Sequence, residues 1–155
     1  MIDHSMKTFR NGPLEFCLPD GWVEETDTDG GKMYFRNGDE FSTLRVNVLS
    51  ATKPNPKQDE VSNMLRERGK KYPNSQFSHL NGKPTLYRES TSVENQEELK
   101  SHFWEVDTFI PPASLWSATF SYIYPKSMEK NPQIETDVKM LWDSIKSLKI
   151  GATIV

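Results

Sequence analysis

The sequence predicts an α+β fold in which an antiparallel β-sheet is flanked by helices. Two long segments, residues 99–110 and 114–124, are rich in the aromatic and β-branched residues that strands favour. An apolar stripe at helical spacing follows Asn131. Shorter alternating segments are separated by Asn-Gly and Pro-Asp-Gly turns, which indicates hairpins.

The two long segments are expected to form the centre of the sheet. Strands of this length are usually central, and residues 111–112, two prolines, cannot continue the ladder because proline lacks an N–H. Side chains alternate between the two faces of a strand, so Trp116 and Tyr122 share one face of the second segment.

Shorter strands are predicted in the first half of the chain. They cover residues 13–18, 22–23, 33–36 and 41–49, with turns at residues 19–21 and 37–38. In the last of these, Leu44 and Val46 alternate with Arg45 and Asn47. That pattern is typical of a sheet with one dry and one wet face.

A helix is predicted over residues 56–72, with Asn55 as its N-cap and Pro56 at its first position. A hairpin over residues 76–80 and 83–90 should follow, and the polar segment 91–97 is expected to be a surface loop.

A second helix is predicted after Asn131 and Pro132, which are typical of a cap and a first position. We expect it to lie across the apolar face of the sheet. Its apolar stripe comprises Ile134, Val138, Leu141, Trp142, Ile145 and Leu148.

The composition narrows the classes of function. The 155 residues fit one domain, and we expect the first ten to be flexible. A net charge of −3 argues against a general nucleic-acid binder, and the single Cys17 excludes an internal disulfide. No apolar run reaches the roughly 20 residues of a membrane helix, and the start lacks the core of a signal peptide. We therefore expect a cytoplasmic protein, unless a leader was removed.

Residues that could carry chemistry do not form a recognisable catalytic motif. Cys17 lies in an apolar strand without a basic neighbour, so a structural role is favoured over a nucleophile with His79 or His102 as its base. His102 could form a trio with Glu105 and Asp107, but strand alternation places the histidine on the opposite face.

Two charged segments are better explained as solvated surface than as sites. Asp27 and Asp29 resemble part of a calcium loop but lack its spaced ligands and bidentate glutamate. The basic run 66–71 could meet an acidic partner, although cations are common at helix C-termini. We therefore predict no catalytic residue, no cofactor, no metal site and no enzymatic activity.

Large side chains on both faces of the long strand pair favour a binding role. If one sheet face lacks a second layer, some of them form an exposed patch, and such patches usually mark partner sites. The candidate partner-binding residues are Trp104, Trp116, Tyr122, Arg66 and Arg68.

The order of elements resembles that of PsbP-like domains across the whole chain. Residues 18–22, Leu-Pro-Asp-Gly-Trp, resemble their LPxGW opening, and residues 144–149, Ser-Ile-Lys-Ser-Leu-Lys, resemble their closing helix. The resemblance implies an antiparallel sheet sandwiched by helices, an α/β/α arrangement. Known members, which include bacterial chaperones of secretion effectors, mostly act by binding proteins. The resemblance carries over no catalytic residue.

We expect a non-enzymatic, bacterial protein-binding module such as an adaptor, a secretion-effector chaperone or an immunity protein. Its partner would be another protein, without nucleic acid or membrane insertion, and the chain itself a monomer or weak dimer. One alternative is a small-molecule-binding protein or hydrolase with a pocket between sheet and helix, using His102 and Tyr122. Another is an envelope protein whose leader has been removed.

Overall fold

The computed structural model describes residues 6–28, 30–36, 38, 41–54, 57–111 and 113–151. Within these ranges the chain has ten strands, two α-helices and a 3-10 helix at Lys126–Met128. They are β1 Met6–Asn11, β2 Leu14–Pro19, β3 Trp22–Thr26, β4 Lys32–Arg36, β5 Thr43–Thr52, α1 Gln58–Gly69, β6 Gln76–Leu80, β7 Lys83–Glu94, β8 Glu97–Ile110, β9 Ser114–Pro125, α2 Pro132–Lys146 and β10 Lys149–Ile150. The α+β class predicted from the sequence is confirmed.

Seven strands form one antiparallel sheet in the order β3-β4-β5-β9-β8-β7-β6. The long strands β8 and β9 pair along their length, from Leu99 opposite Pro125 to Ile110 opposite Ser114. β9 also pairs with β5, so it occupies the middle of the sheet. The predicted central pair is therefore confirmed, while Pro112 of its connecting bend lies outside the described residues.

A second, three-stranded sheet has the order β1-β2-β10. Met6 pairs with Pro19 and Asn11 with Leu14, so residues 6–10 form a strand. The prediction of ten flexible residues at the start is wrong for this part. β1 holds one buried side chain, Phe9, among exposed ones, which is too weak an apolar pattern for prediction of a strand.

α2 closes one face of the large sheet as predicted, and Asn131 caps it by accepting a hydrogen bond from the backbone N–H of Gln133. The core between α2, β2 and the sheet contains the fully buried Phe16, Phe120, Leu141 and Ile145. Burial of each large apolar side chain contributes roughly 1.5–3 kcal/mol before entropy costs.

A buried polar clasp ties α2 to the sheet. The carboxylate of Asp137 on α2 accepts hydrogen bonds from Arg36 of β4 and from the hydroxyl of Tyr122 on β9, at 2.5 Å for the latter. Gln133 donates a further bond to it at 3.0 Å. Because the carboxylate is 3% exposed, these donors supply the solvation that water would give it.

α1 lies on the opposite face. Arg68 of α1 contacts Glu105 of β8. The neighbours of Glu105 in the strand, Trp104 and Val106, point to the other face, where they are buried beneath α2. The helix begins at Gln58 with Lys57 in the cap position and no side-chain cap bond. The predicted cap, Asn55, and Pro56 lie outside the described residues, as does Asn37 of the predicted hairpin turn.

The segment 91–97, predicted to be a loop, is instead the end of a long hairpin. β7 runs to Glu94 and β8 begins at Glu97, with Glu94 opposite Glu97 across a two-residue turn. Asn95 and Gln96 have φ of 52° and 68°, the left-handed values that a type I′ hairpin turn requires. The prediction failed because the segment is polar on both faces, which removes the alternation that marks a half-buried strand.

Candidate functional site

The two faces of the large sheet are covered unequally. β2, β10 and α2 lie over one face, whereas α1 packs on β6, β7 and β8 of the other. On β5, Leu44 and Val46 face α2 and are buried, whereas their alternate neighbours Arg45 and Asn47 are exposed. Residues 49–52 are exposed on both faces of the strand. We name the following surface the open face: the exposed Arg45, Asn47, Leu49 and Ala51 of β5 with the half-buried Ser117 and Thr119 of β9.

The open face mixes apolar and polar groups. Leu49 is 71% exposed, the highest value among the large apolar side chains that the structure describes as exposed. It pairs across the ladder with Ser117, and Asn47 pairs with Thr119. This mixture differs from the nearly continuous apolar pattern of a sheet layer that is buried on both faces.

A broad depression of about 870 Å³ runs along the flank of α1. It is lined by Lys57, Asp59, Glu60, Asn63, Met64, Glu67, Arg68 and Lys71. Arg68 reaches Glu105, which pairs with Thr119 of β9. Arg68 therefore connects the wall of the depression to the strand next to β9.

An ion-pair cluster lies where α1 meets the sheet. Arg68 contacts the carboxylate of Glu105 and lies 3.8 Å from that of Asp107. Asp107 is 2% exposed, and its Oδ1 has no hydrogen-bond partner within the described residues. Burial raises the pKa of the Asp107 carboxyl, against the opposing effects of Ser117 and Arg68.

A smaller cavity of about 330 Å³ lies at one end of the open face. Met33, Leu99 and Ile123 give it apolar walls, while Arg45 and Glu94 bring charge to its rim. The α1 side of the molecule therefore has two concave regions, this cavity and the depression along α1.

Asp27 lies beside the cavity as the ion-pair partner of Arg45, with Nη1 2.9 Å from Oδ2. Its other oxygen accepts from the backbone N–H of Thr28 at 2.7 Å. The bond from Arg45 is the main reason why the pKa of the Asp27 carboxyl is lowered. Asp27 thus stabilises a turn, and its possible calcium partner, Asp29, lies outside the described residues.

The candidate base His102 is held in a hydrogen-bonded chain. Its Nδ1 lies 2.6 Å from the hydroxyl of Tyr87, and its Nε2 lies 2.8 Å from that of Tyr124. Tyr87 donates its own proton to Glu89, so its oxygen accepts from Nδ1–H. Nε2 of the neutral imidazole then accepts from Tyr124. Both ring nitrogens are occupied.

Burial sets the protonation of this chain. The ring of His102 is 7% exposed, and this desolvation lowers its pKa, with Lys100 adding to the effect and Glu89 opposing it. Burial also raises the pKa of Tyr124 to about 12. The neutral imidazole thus joins β7, β8 and β9 structurally. Glu105 and Asp107 lie on the other face, as the alternation predicts.

The structure does not assemble the predicted partner-binding residues into one patch. Trp104 and Tyr122 are 0% exposed beneath α2, so their assignment to a partner surface is wrong. Trp116 is half-buried on that same face. Arg68 lines the depression along α1, while Arg66 lies over the ring of Phe77 at 4.6 Å. Only the two arginines belong to the α1 side.

Asn47 and Leu49 are the residues that the sequence analysis did not select. The alternation along β5 identified a wet face that includes Asn47. It did not show that this face lacks a covering layer, because α1 could have lain over any of the strands.

Comparisons with known proteins show the fold without a family. No protein-family model and no curated protein matches the chain. A crystal structure from Bacteroides thetaiotaomicron has a TM-score of 0.65 at 16% identity, covering 94% of this chain and 48% of that one. This chain therefore spans about half the length of that protein.

LpqN, described as involved in cell envelope biogenesis of Mycobacterium tuberculosis, has a TM-score of 0.56 at 12% identity, covering 88% of this chain and 82% of LpqN. The PsbP of Synechocystis has a TM-score of 0.43 at 12% identity, covering 97% of this chain and 94% of its own.

No helix of the described chain is long and apolar enough to cross a membrane.

Proposed function

We propose that this protein is a non-enzymatic protein-binding module that receives its partner on the open face. The observation that carries the proposal is the exposure of the β5 side chains opposite α2, with Leu49 71% exposed at their centre. The protein would then act as an adaptor, a chaperone of a secreted effector or an immunity protein.

The shape and chemistry of the surface support a protein partner. The open face lies between the depression along α1 and the smaller cavity near Arg45, so a partner can contact strands and helix together. Neighbouring Arg45, Asn47 and Leu49 offer a charge, an amide and an apolar group within one strand. Interfaces combine such groups, with apolar contacts at the centre and polar ones at the rim.

The hydrolase alternative has less support from its own candidate residues. Both ring nitrogens of His102 are hydrogen-bonded to tyrosines. The hydroxyl of Tyr122 donates to the buried carboxylate of Asp137. A general base must accept a proton from a substrate within its reach. The ring nitrogens of His102 are already hydrogen-bonded, and Tyr122 is fully buried.

Site-specific photo-crosslinking in the native host tests the proposal. Benzoylphenylalanine placed at Ala51 should give discrete covalent adducts with another protein, and a second substitution, Leu49→Asp, should abolish them. The matched control carries the same photo-reactive residue at Lys139, whose side chain is 75% exposed on α2. Equal adduct patterns from positions 51 and 139, or none from either, would contradict the proposed function.

A further inference from the structure

The outer edge of β7 is only partly covered. β6 pairs with β7 from Lys83 to Tyr87, whereas β8 pairs with it as far as Glu94. Residues 88–94 of β7 therefore have a strand neighbour on one side within the described chain. The outward backbone groups of such an edge can pair with another strand.

No strand of the described chain pairs with the outer side of residues 88–94, because the connection between α1 and β6 enters β6 only at the level of Tyr87. We call this unfilled strand position the vacant position. The chain turns at Pro73, which lacks an N–H, and at Asn74, which has φ of 66°, and it enters β6 at Gln76 opposite Tyr87. A cavity of about 410 Å³ lies at this point, lined by Pro73, Asn74, Gln76, Tyr87, Glu89, Ser90, Thr91 and Lys100. The vacant position begins at this cavity and continues alongside the hairpin.

The central part of this edge, residues 90–93, lacks the features that usually prevent strand pairing. Natural edge strands carry lysine, proline, a bulge or a covering segment. Residues 90–93, Ser-Thr-Ser-Val, contain no charge and no proline, and Val93 is 69% exposed. Thr91 and Val93 are also residues that favour strands.

The edge carries three charged side chains, of which Glu89 forms an ion pair with Lys100 at 2.9 Å. The other two, at the ends of the edge, are complementary. Arg88 and Glu94 are six residues apart, so both face the α1 side of the sheet. The Arg88 guanidinium lies between the rings of Tyr72 and Phe103, at 4.1 and 4.0 Å from their centroids. Within the described residues, neither Arg88 nor Glu94 forms an ion pair.

We propose that two copies of this chain pair antiparallel through residues 88–94 of β7, with Thr91 on the two-fold axis. An antiparallel strand related by two-fold symmetry about Thr91 places Arg88 opposite Glu94 of the second copy, and Ser90 opposite Ser92. The Arg–Glu pairs occur twice, on one face. The observation that selects a second copy over another protein is this self-complementarity of charge.

The length of the vacant position fits the same arrangement. Seven residues of each copy fill the seven unpaired positions of the other. The hairpin of the second copy ends at its own turn, Asn95-Gln96, which lies opposite Tyr87 of the first copy. The second copy therefore does not overlap β6 or the 410 Å³ cavity of the first, both of which begin at Tyr87. The open face lies on strands β5 and β9, across the sheet from this edge, and stays accessible in the pair.

Sedimentation velocity over a concentration series tests the pairing. The wild-type chain should show a concentration-dependent monomer–dimer equilibrium. Glu94→Arg places two like-charged pairs across the axis and should weaken dimerisation by roughly tenfold or more. Combining it with Arg88→Glu should restore the wild-type equilibrium, because both pairs are then reversed. Lys139→Glu, on exposed α2, is the control and should have no effect.

Because Arg88→Glu also removes the stacking on Tyr72 and Phe103, a second experiment covers the case in which that variant fails to fold. In a Cys17→Ser background, Thr91→Cys should cross-link two copies with a short bifunctional maleimide, whereas Lys139→Cys should not. A wild-type monomer at every concentration, a dimer insensitive to Glu94→Arg, or equal cross-linking from positions 91 and 139 would each overturn the proposal.

Discussion

At the scale of single residues, two buried polar groups, Asp137 and His102, join neighbouring elements through several hydrogen bonds each. Asp137 accepts hydrogen bonds from Arg36, Tyr122 and Gln133. His102 is hydrogen-bonded to Tyr87 and Tyr124. A buried polar group costs free energy unless it is hydrogen-bonded, so removal of one member should cost more than the bond itself.

Asp137→Ala should therefore lower the free energy of unfolding by about 3–5 kcal/mol, because it leaves the donors of Arg36 and Tyr122 without their carboxylate. Urea denaturation measures the change. Asp143→Ala, an exposed carboxylate on the same helix, is the control and should change stability by less than about 0.5 kcal/mol. Similar losses in both variants would show that the clasp does not stabilise the fold.

His102 gives stability a pH dependence of defined sign. Since burial lowers its folded-state pKa below the unfolded value of about 6.5, the unfolded chain binds more protons in the interval between them. The stabilisation from the neutral ring is complete above that interval and is lost as pH falls through it. In wild type the free energy of unfolding should decrease more steeply from pH 7 to pH 5 than in His102→Gln.

Denaturation series at several pH values compare the two proteins. Above about pH 7.5 their curves should run parallel, since the imidazole is neutral in both folded and unfolded wild type. Parallel curves below pH 6.5 as well would mean that His102 titrates alike in both states.

At the scale of elements, segments with a clear cap or a clear apolar periodicity were predicted correctly. Segments without either were not. Asn131 caps α2 as predicted, because its side-chain oxygen accepts the N–H of Gln133 whatever the rest of the chain does. The hairpin arm of β7 and β8 is polar on both faces, and its turn, Asn95-Gln96, lacks the glycine that makes Asn81-Gly82 recognisable.

The two turns allow a matched exchange. Gln96 adopts φ of 68°, where glycine avoids the steric cost of a side chain, so Gln96→Gly should stabilise the protein by about 1 kcal/mol. The melting temperature should rise by roughly 2–4 °C. The matched control is the reverse substitution in the other turn, Gly82→Gln, which should destabilise the protein. A Cβ at position 82 would meet no atom within 4 Å, so this loss should come from the backbone conformation alone. Destabilisation by Gln96→Gly would contradict the turn.

At the scale of the whole molecule, two helices on opposite faces leave the large sheet half covered on one side. α2 spans the strands that carry the core, while α1 lies over β6, β7 and β8 and leaves β5 exposed opposite Leu44 and Val46. This asymmetry supplies the receiving surface of the proposed function. The vacant edge of β7 supplies a second and separate surface for the proposed pairing.

The order of residues was enough to predict the α+β class, the central strand pair and the α2 helix with its cap, because these depend on periodicity and on contacts between residues close in the chain. The buried positions of Trp104 and Tyr122, the exposure of Leu49 and the strand at residues 6–11 could be seen only in the folded chain. Those outcomes depend on which element covers which face, and alternation gives the same two faces whichever one is buried.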